Sequence, residues 1–297
     1  MPDAIACDTA GIYITGIFSS TLDFDGTIVQ SNGGYDIFIA KYDSGGNFIW
    51  VQTAGGTDEE TASHLTVDSQ NNIYVSGAFS GPTLQIGNNE LLNNGYWNTY
   101  LAKYDETGEV LWARGFGSDE LNFPHGINCG WNDEIILSGN WSGSSLNFAS
   151  MPHTAPGEDK VFLVKYDNNG NELWAKVAGG EGSAHGRGVQ MDSENNIYQM
   201  GLFDSSEIQF DSFTLHNSTE YPDFFIVKYD EHGAVVWAKS FGGDDIEIGG
   251  EVGIDRRDSI HLFGISYSDT MSFDDLNYEN PGRGHFIAKL NSDGNFM

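Results

Sequence analysis

The stretch Phe38-Ile39-Ala40-Lys41-Tyr42-Asp43 decides the fold, because the chain repeats it. It returns as Tyr100-Leu101-Ala102-Lys103-Tyr104-Asp105, then as Phe162 to Asp167, Phe225 to Asp230 and Phe286 to Asn291. The lysines Lys41, Lys103, Lys165, Lys228 and Lys289 are therefore 62, 62, 63 and 61 residues apart. Two further markers keep the same step. Gly16, Gly77, Gly139, Gly201 and Gly264 each close an apolar run, and the pair Leu22/Phe24 recurs as Leu84/Ile86, Leu146/Phe148, Ile208/Phe210 and Met271/Phe273. Self-similarity at one fixed period marks a repeat architecture.

One period reads as four strands. In the second copy, strand a is Leu65 to Asp68, strand b Ile73 to Phe79, strand c Thr99 to Tyr104 and strand d Val110 to Arg114. The loop between b and c carries paired apolar positions, which predict a small hairpin. Strands c and d join through Asp-x-x-Gly, where Asp bonds its own turn and Gly supplies a positive φ. Strand c is apolar at consecutive positions, so it is covered on both faces. The expectation is an all-β chain, a β-propeller of four-stranded antiparallel blades with five repeats of about 62 residues. It is one domain over 1–297, with blades at approximately 1–56, 57–118, 119–180, 181–243 and 244–297. Trp50, Trp112, Trp174 and Trp237 each lie seven residues after the turn Asp, and the fifth copy stops at Met297, one residue short of its Trp. The ring is therefore either five-bladed with an incomplete last strand or part of a larger propeller.

The run Asp68-x-x-x-Asn72-Ile73-Tyr74-Val75-Ser76-Gly77-x-Phe79, followed by Ala-Lys-Tyr-Asp-x-x-Gly and Trp, resembles the bacterial SBBP β-propeller repeat over essentially the whole chain. The resemblance implies an extracellular or cell-surface bacterial protein, often multi-domain, with no shared catalytic residues to carry over.

The chain has 297 residues with 43 acidic and 13 basic, a formal charge of −30. That charge repels a phosphate backbone, so nucleic acid is excluded as a partner. No apolar run reaches the roughly 18 residues of a membrane span, and no membrane insertion is expected. Two cysteines form no disulfide framework, and Met1-Pro2-Asp3-Ala4 opens no basic-then-apolar leader. The chain is thus intracellular, or a mature or trimmed form. Cys7 and Cys129 share one register in strand a, which predicts small buried apolar roles in non-adjacent blades.

Five copies of one lysine suit a structural role, each paired with a strand-a carboxylate, Asp8, Asp68, Asp192 or Asp255. The connections between d and a are acidic: Asp58-Glu59-Glu60, Asp119-Glu120 and Asp244-Asp245. Oxygen-rich, Gly-containing loops suit calcium, although no EF-hand pattern is present, and solvated charge is the commoner explanation of such runs. His64, His125 and His185 fall shortly before strand a, near a channel mouth, at unequal distances from the strand marker. They are candidate ligands, or isolated polar loop residues. Tyr96-Trp97 and Trp131 stand outside the repeat frame, so blade packing does not need them and they suit contact with a sugar or protein. No G-x-S-x-G, P-loop or CxxC appears, and no cofactor is required. The expected function is a non-enzymatic binding platform for a protein or glycan, using its loop-rich face. The alternatives are a structural module of a larger adhesin, filament or secretion assembly, and a hydrolase or lyase using carboxylates on the same face.

Overall fold

The computed structural model describes residues 1–148, 152–273, 276–279 and 284–297. Within them the chain is all strand and turn, and no helix is long and apolar enough to cross a membrane. Four units of four antiparallel strands follow one another, each in the order a-b-c-d, and the fourth sheet is extended to six strands by the fifth unit's hairpin. The first is Pro2–Cys7, Ile12–Phe18, Asp36–Tyr42 and Phe48–Ala54. The second is His64–Val67, Ile73–Phe79, Asn98–Tyr104 and Val110–Phe116. The third is Asn122–Cys129, Ile135–Trp141, Lys160–Tyr166 and Glu172–Ala178, and the fourth Ala184–Met191, Ile197–Phe203, Asp223–Tyr229 and Val235–Gly242. The fifth unit has three strands, Glu247–Ile254, Ile260–Ser266 and Gly284–Leu290, with only a single bridge from Leu290 to Phe296 beyond them. These are propeller-like blades, and the a strands pack in succession from the first unit to the fifth.

The predicted b–c hairpin is present in every unit, for example Thr83–Ile86 with Asn89–Leu92. Each turns its apolar pair inward. Leu84 and Ile86 are fully buried between units 1 and 2, and Ile208 and Phe210 between units 3 and 4. The hairpin also grips the outer strand of the preceding unit, through Gly55–Gln85, Gly117–Asn147 and Gly242–Ser272.

A second lock recurs at each joint. Lys41 Nζ and Trp50 Nε1 both donate to the carbonyl of Glu106 in the next unit's c–d turn, at 3.1 and 3.2 Å. Lys103 and Trp112 do the same to Asn168, Lys165 and Trp174 to Glu231, and Lys228 and Trp237 to Ser292. Gly108, Gly170, Gly233 and Gly294 in those turns have positive φ and lie directly over the Trp rings, where a Cβ would come within about 3 Å. Only glycine meets both demands.

This corrects the expected ion pairs. Lys103–Asp68 and Lys289–Asp255 form, each at 3.2 Å, but Lys165 pairs with Glu134 at 2.6 Å. Among the described residues Lys41 and Lys228 have no carboxylate partner. Asp68 itself lies beyond its strand and caps the a–b turn, accepting from the Gln70 and Asn72 amides. A second correction concerns Cys7, which is exposed, since among the described residues no other unit covers that face of the first sheet; Cys129 is half-buried.

Candidate functional site

Antiparallel order places the b–c hairpins and d–a connections at one end of every sheet, and the a–b and c–d turns at the other. Tyr96 and Trp97 therefore stand at the loop-bearing end. Tyr96 is 73% exposed, whereas Trp97 is half-buried and lies 5.5 Å from the Phe123 ring, so it helps to close the joint with unit 3. Trp131 is 78% exposed but sits in the a–b turn, at the opposite end of the eight-residue strand Asn122–Cys129. The structure does not bring it together with Tyr96.

The three histidines lie within or at the start of strand a rather than before it: His64 opens its strand, and β-bulges at Pro124/Gly126 and Gly186/Val189 lengthen the strands that hold His125 and His185. Burial pushes His64 and His125 down to about 4, with the neighbouring Arg187 charge adding to the effect on His125. His125 Nε2 meets Asn140 Oδ1 at 2.6 Å, and His185 approaches Asp159 at 3.8 Å. These are neutral rings in a polar interior. Among the described residues no group of three or more His, Cys, Asp or Glu side chains is placed to hold a metal ion.

The acidic connections divide. Asp58, Glu59, Glu120 and Asp244 are exposed and Asp245 is half-exposed, while Asp119 accepts from the Ser144 amide and hydroxyl. Glu60 differs: it is 1% exposed, and burial, with the Asp36 and Asp58 charges, pushes it up to about 7. Its partner across the joint, Asp36, is fully buried. Each carboxylate has one oxygen bonded to backbone (Gly56 N to Glu60, Asn32 N to Asp36) and one with no partner among the described residues.

Five residues before the first four repeat lysines, the sequence runs Asp36, Asn98, Lys160, Asp223. Opposite the end of the next strand b (Phe79, Trp141, Phe203, Ser266) it runs Glu60, Asn122, Ala184, Glu247. Equivalent joints thus hold an acid pair, an amide pair, a lysine, and an acid pair again. Asp223 is pushed up to about 7 by burial and by Glu247, which is itself raised by burial. Reading each acidic run by itself missed these pairs. Aligning the position five before the lysine would have found Asp36 and Asp223.

Two of these joints open into equivalent clefts at the loop-bearing end. The first, of about 400 Å³, is lined by Asn94, Asn98, Ser118, Asp119, Ser144 and Asn147 over Phe116 and Phe148. The second, of about 520 Å³, is lined by His216, Ser218, Asp223, Ser240, Asp244 and Thr270. Both present hydroxyls and a carboxylate above an aromatic floor; the first adds the amides of Asn94, Asn98 and Asn147, the second His216 and a second carboxylate, and Tyr96 belongs to the loop that walls the first. Such a lining accepts and donates hydrogen bonds and, holding carboxylates without a lysine or arginine, disfavours anions.

No family model matches the sequence. The chain is similar to an uncharacterized WD repeat-containing protein of Acanthamoeba polyphaga mimivirus, at 26% identity over 206 residues. That similarity covers 59% of this chain and 15% of the relative, so the chain spans a small part of that protein's length. Among solved structures it is similar to a protein of unknown function from Bacteroides caccae, at 10% identity and a TM-score of 0.43, covering 100% of this chain and 80% of that one. The sheets and the relative together describe a repeat protein of propeller-like blades.

Proposed function

We propose that the chain is a non-enzymatic, extracellular or cell-surface binding platform, a five-bladed β-propeller or part of a larger one, that takes a glycan in the clefts between blades. The observation that carries this reading is the repeated cleft. A hydroxyl- and carboxylate-lined hollow over a phenylalanine occurs at two equivalent joints, with asparagines added in the first, and Tyr96 stands exposed on the rim loop of that one. A sugar offers the matching set of donors and acceptors together with an apolar ring face for an aromatic.

Carboxyls with raised pKa values would suit a hydrolase, but Asp36 and Glu60 are sealed between sheets, and the acid pair recurs at a second joint. A repeated joint acid fits packing better than a single catalytic centre. Calcium at the acidic connections belongs to the same proposal as a separate arm. A glycan array run with and without EDTA tests both. Binding that Asn98→Ala with Ser118→Ala abolishes supports the cleft, and loss of binding in EDTA supports calcium. An array on which no glycan binds overturns the reading.

A further inference from the structure

The four internal joints share one backbone frame and differ in charge. In the two joints without acids, a side-chain nitrogen donates to carbonyl oxygens. Asn122 Nδ2 donates to the Trp97 carbonyl at 2.8 Å. Lys160 Nζ donates to the Gly143 and Glu158 carbonyls, each at 3.0 Å, and lies over the Trp141 ring. The amide joint is neutral, and the lysine joint brings its own cation.

The acid joints have carboxylate oxygens in place of those nitrogens. Asp36 is 0% and Glu60 1% exposed, and Asp36 Oδ1 and Glu60 Oε1 have no partner among the described residues. Glu247 is fully buried, and its Oε1 accepts from the Ser266 and Ser268 hydroxyls, both at 2.9 Å. Glu247 Oε2 and Asp223 Oδ1 are without a partner among the described residues. The frame brings the two positions together. Asn98 Oδ1 and Asn122 Nδ2 both lie within 3.0 Å of the point where a Gly117 Cβ would stand. Glu60 is held as Asn122 is, by the Gly56 amide at 3.1 Å where Asn122 takes the Ser118 amide at 3.1 Å. Two like charges kept from water, each with an unsatisfied oxygen, are costly unless a positive charge joins them. Further oxygens face the same spaces. The Thr83 carbonyl and Glu60 Oε1 lie 2.6 and 3.2 Å from where a Gly56 Cβ would be, and the Ser268 hydroxyl and Thr270 carbonyl crowd the equivalent point over Gly243. The fourth pair also has a way in, since Asp223 lines the cleft of about 520 Å³.

We propose that the first and fourth joints each bind a hard divalent cation, calcium, between Asp36 and Glu60 and between Asp223 and Glu247, where it does what the Lys160 ammonium does in the third joint. Calcium takes about six to eight oxygens in flexible geometry, so two carboxylates, neighbouring carbonyl or hydroxyl oxygens and water suffice. No third acid or histidine is needed, and none completes either pair among the described residues. The inference deepens the calcium arm of the function proposed above, moving the ion from the exposed connections into the joints. It does not depend on what the clefts bind.

Plasma emission on the full chain, dialysed against millimolar calcium and then against metal-free buffer, counts the bound ion, and thermal melts above pH 7 in calcium or EDTA read its effect. Two calcium ions per chain are expected, with a higher melting temperature in calcium than in EDTA. Asp36→Asn with Glu60→Gln, and Asp223→Asn with Glu247→Gln, follow the natural amide joint of Asn98 and Asn122, and each lowers the count from two to one. Each melts below the parent in calcium and above it in EDTA, where the parent's buried charges are uncompensated. Glu59→Gln with Asp119→Asn and Glu120→Gln, in the exposed connections, keeps both ions. A parent that carries no calcium overturns the proposal, as does a joint variant that still carries two. Calcium lost from the connection variant instead overturns it while leaving the connections as the calcium site. Joint variants that melt above the parent in calcium as well as in EDTA show acid pairs that hold only a proton, and overturn it too.

Discussion

Trp112 shows how one residue ties two units together. It is 8% exposed, lies edge-on to Tyr74 at 5.9 Å, donates to the Asn168 carbonyl and sits beneath Gly170. Trp112→Ala is expected to destabilise by roughly 3–5 kcal/mol in denaturant titration, as a large-to-small change in a packed joint. A loss below about 1 kcal/mol would mean the ring contributes little there. Glu60 gives a prediction with a sign. Its folded pKa of about 7 lies above the ordinary carboxylate value, so the folded state holds its proton more tightly, and stability falls as pH rises between those two values. His64 and His125, held near 4, act oppositely, adding stability as pH rises from there towards 6.5. Above that only the acids remain. Glu60→Gln is therefore expected to be more stable than the parent above pH 7, by on the order of 2–3 kcal/mol, with the advantage vanishing near the ordinary carboxylate pKa. Thermal melts at both pH values check this, and an equal offset at both would contradict it. The repeat lysines were recognised as structural from sequence, but their main acceptor was not. A backbone carbonyl one unit away leaves no residue-type signal.

At the scale of the element, strand b of the second unit, Ile73–Phe79, was legible to the residue because Gln70-Asn71-Asn72 and Gly77 bracket it. Strand a was not. Its bulges insert residues that break the alternation, which moved His125 and His185 from an expected loop into a strand. The hairpins were visible as paired apolar positions, yet their task of sealing each joint depends on the preceding unit and appears only in three dimensions. Leu84 is fully buried and Leu92, on the other strand of the same hairpin, is 62% exposed. Leu84→Ala is expected to cost about 2–5 kcal/mol and Leu92→Ala less than about 0.5 kcal/mol, by denaturant titration. Equal costs would mean that the hairpin does not pack by this face.

At the scale of the molecule, the period of about 62 residues made all copies look alike, and for that reason the sequence could not reveal that copies one and five differ. Ile5, Phe263 and Ile287 occupy apolar repeat positions yet are exposed, since exposure there depends on having a neighbouring unit. The clefts were hidden as well: Asn98 and Asp223 align five residues before their lysines, but that a joint opens beside them depends on the facing unit. The central claim is that the units stack around an axis rather than along a line. Electron–electron dipolar distances test it most directly, with one spin label at Ser44 and the second in turn at Glu106, Asn168, Glu231 or Ser292, all exposed in equivalent turns, in a Cys7→Ser/Cys129→Ser background. Radial stacking predicts that the distance from Ser44 rises over the first steps and no longer increases on going from Glu231 to Ser292. A distance that lengthens at every step, longest to Ser292, would contradict it.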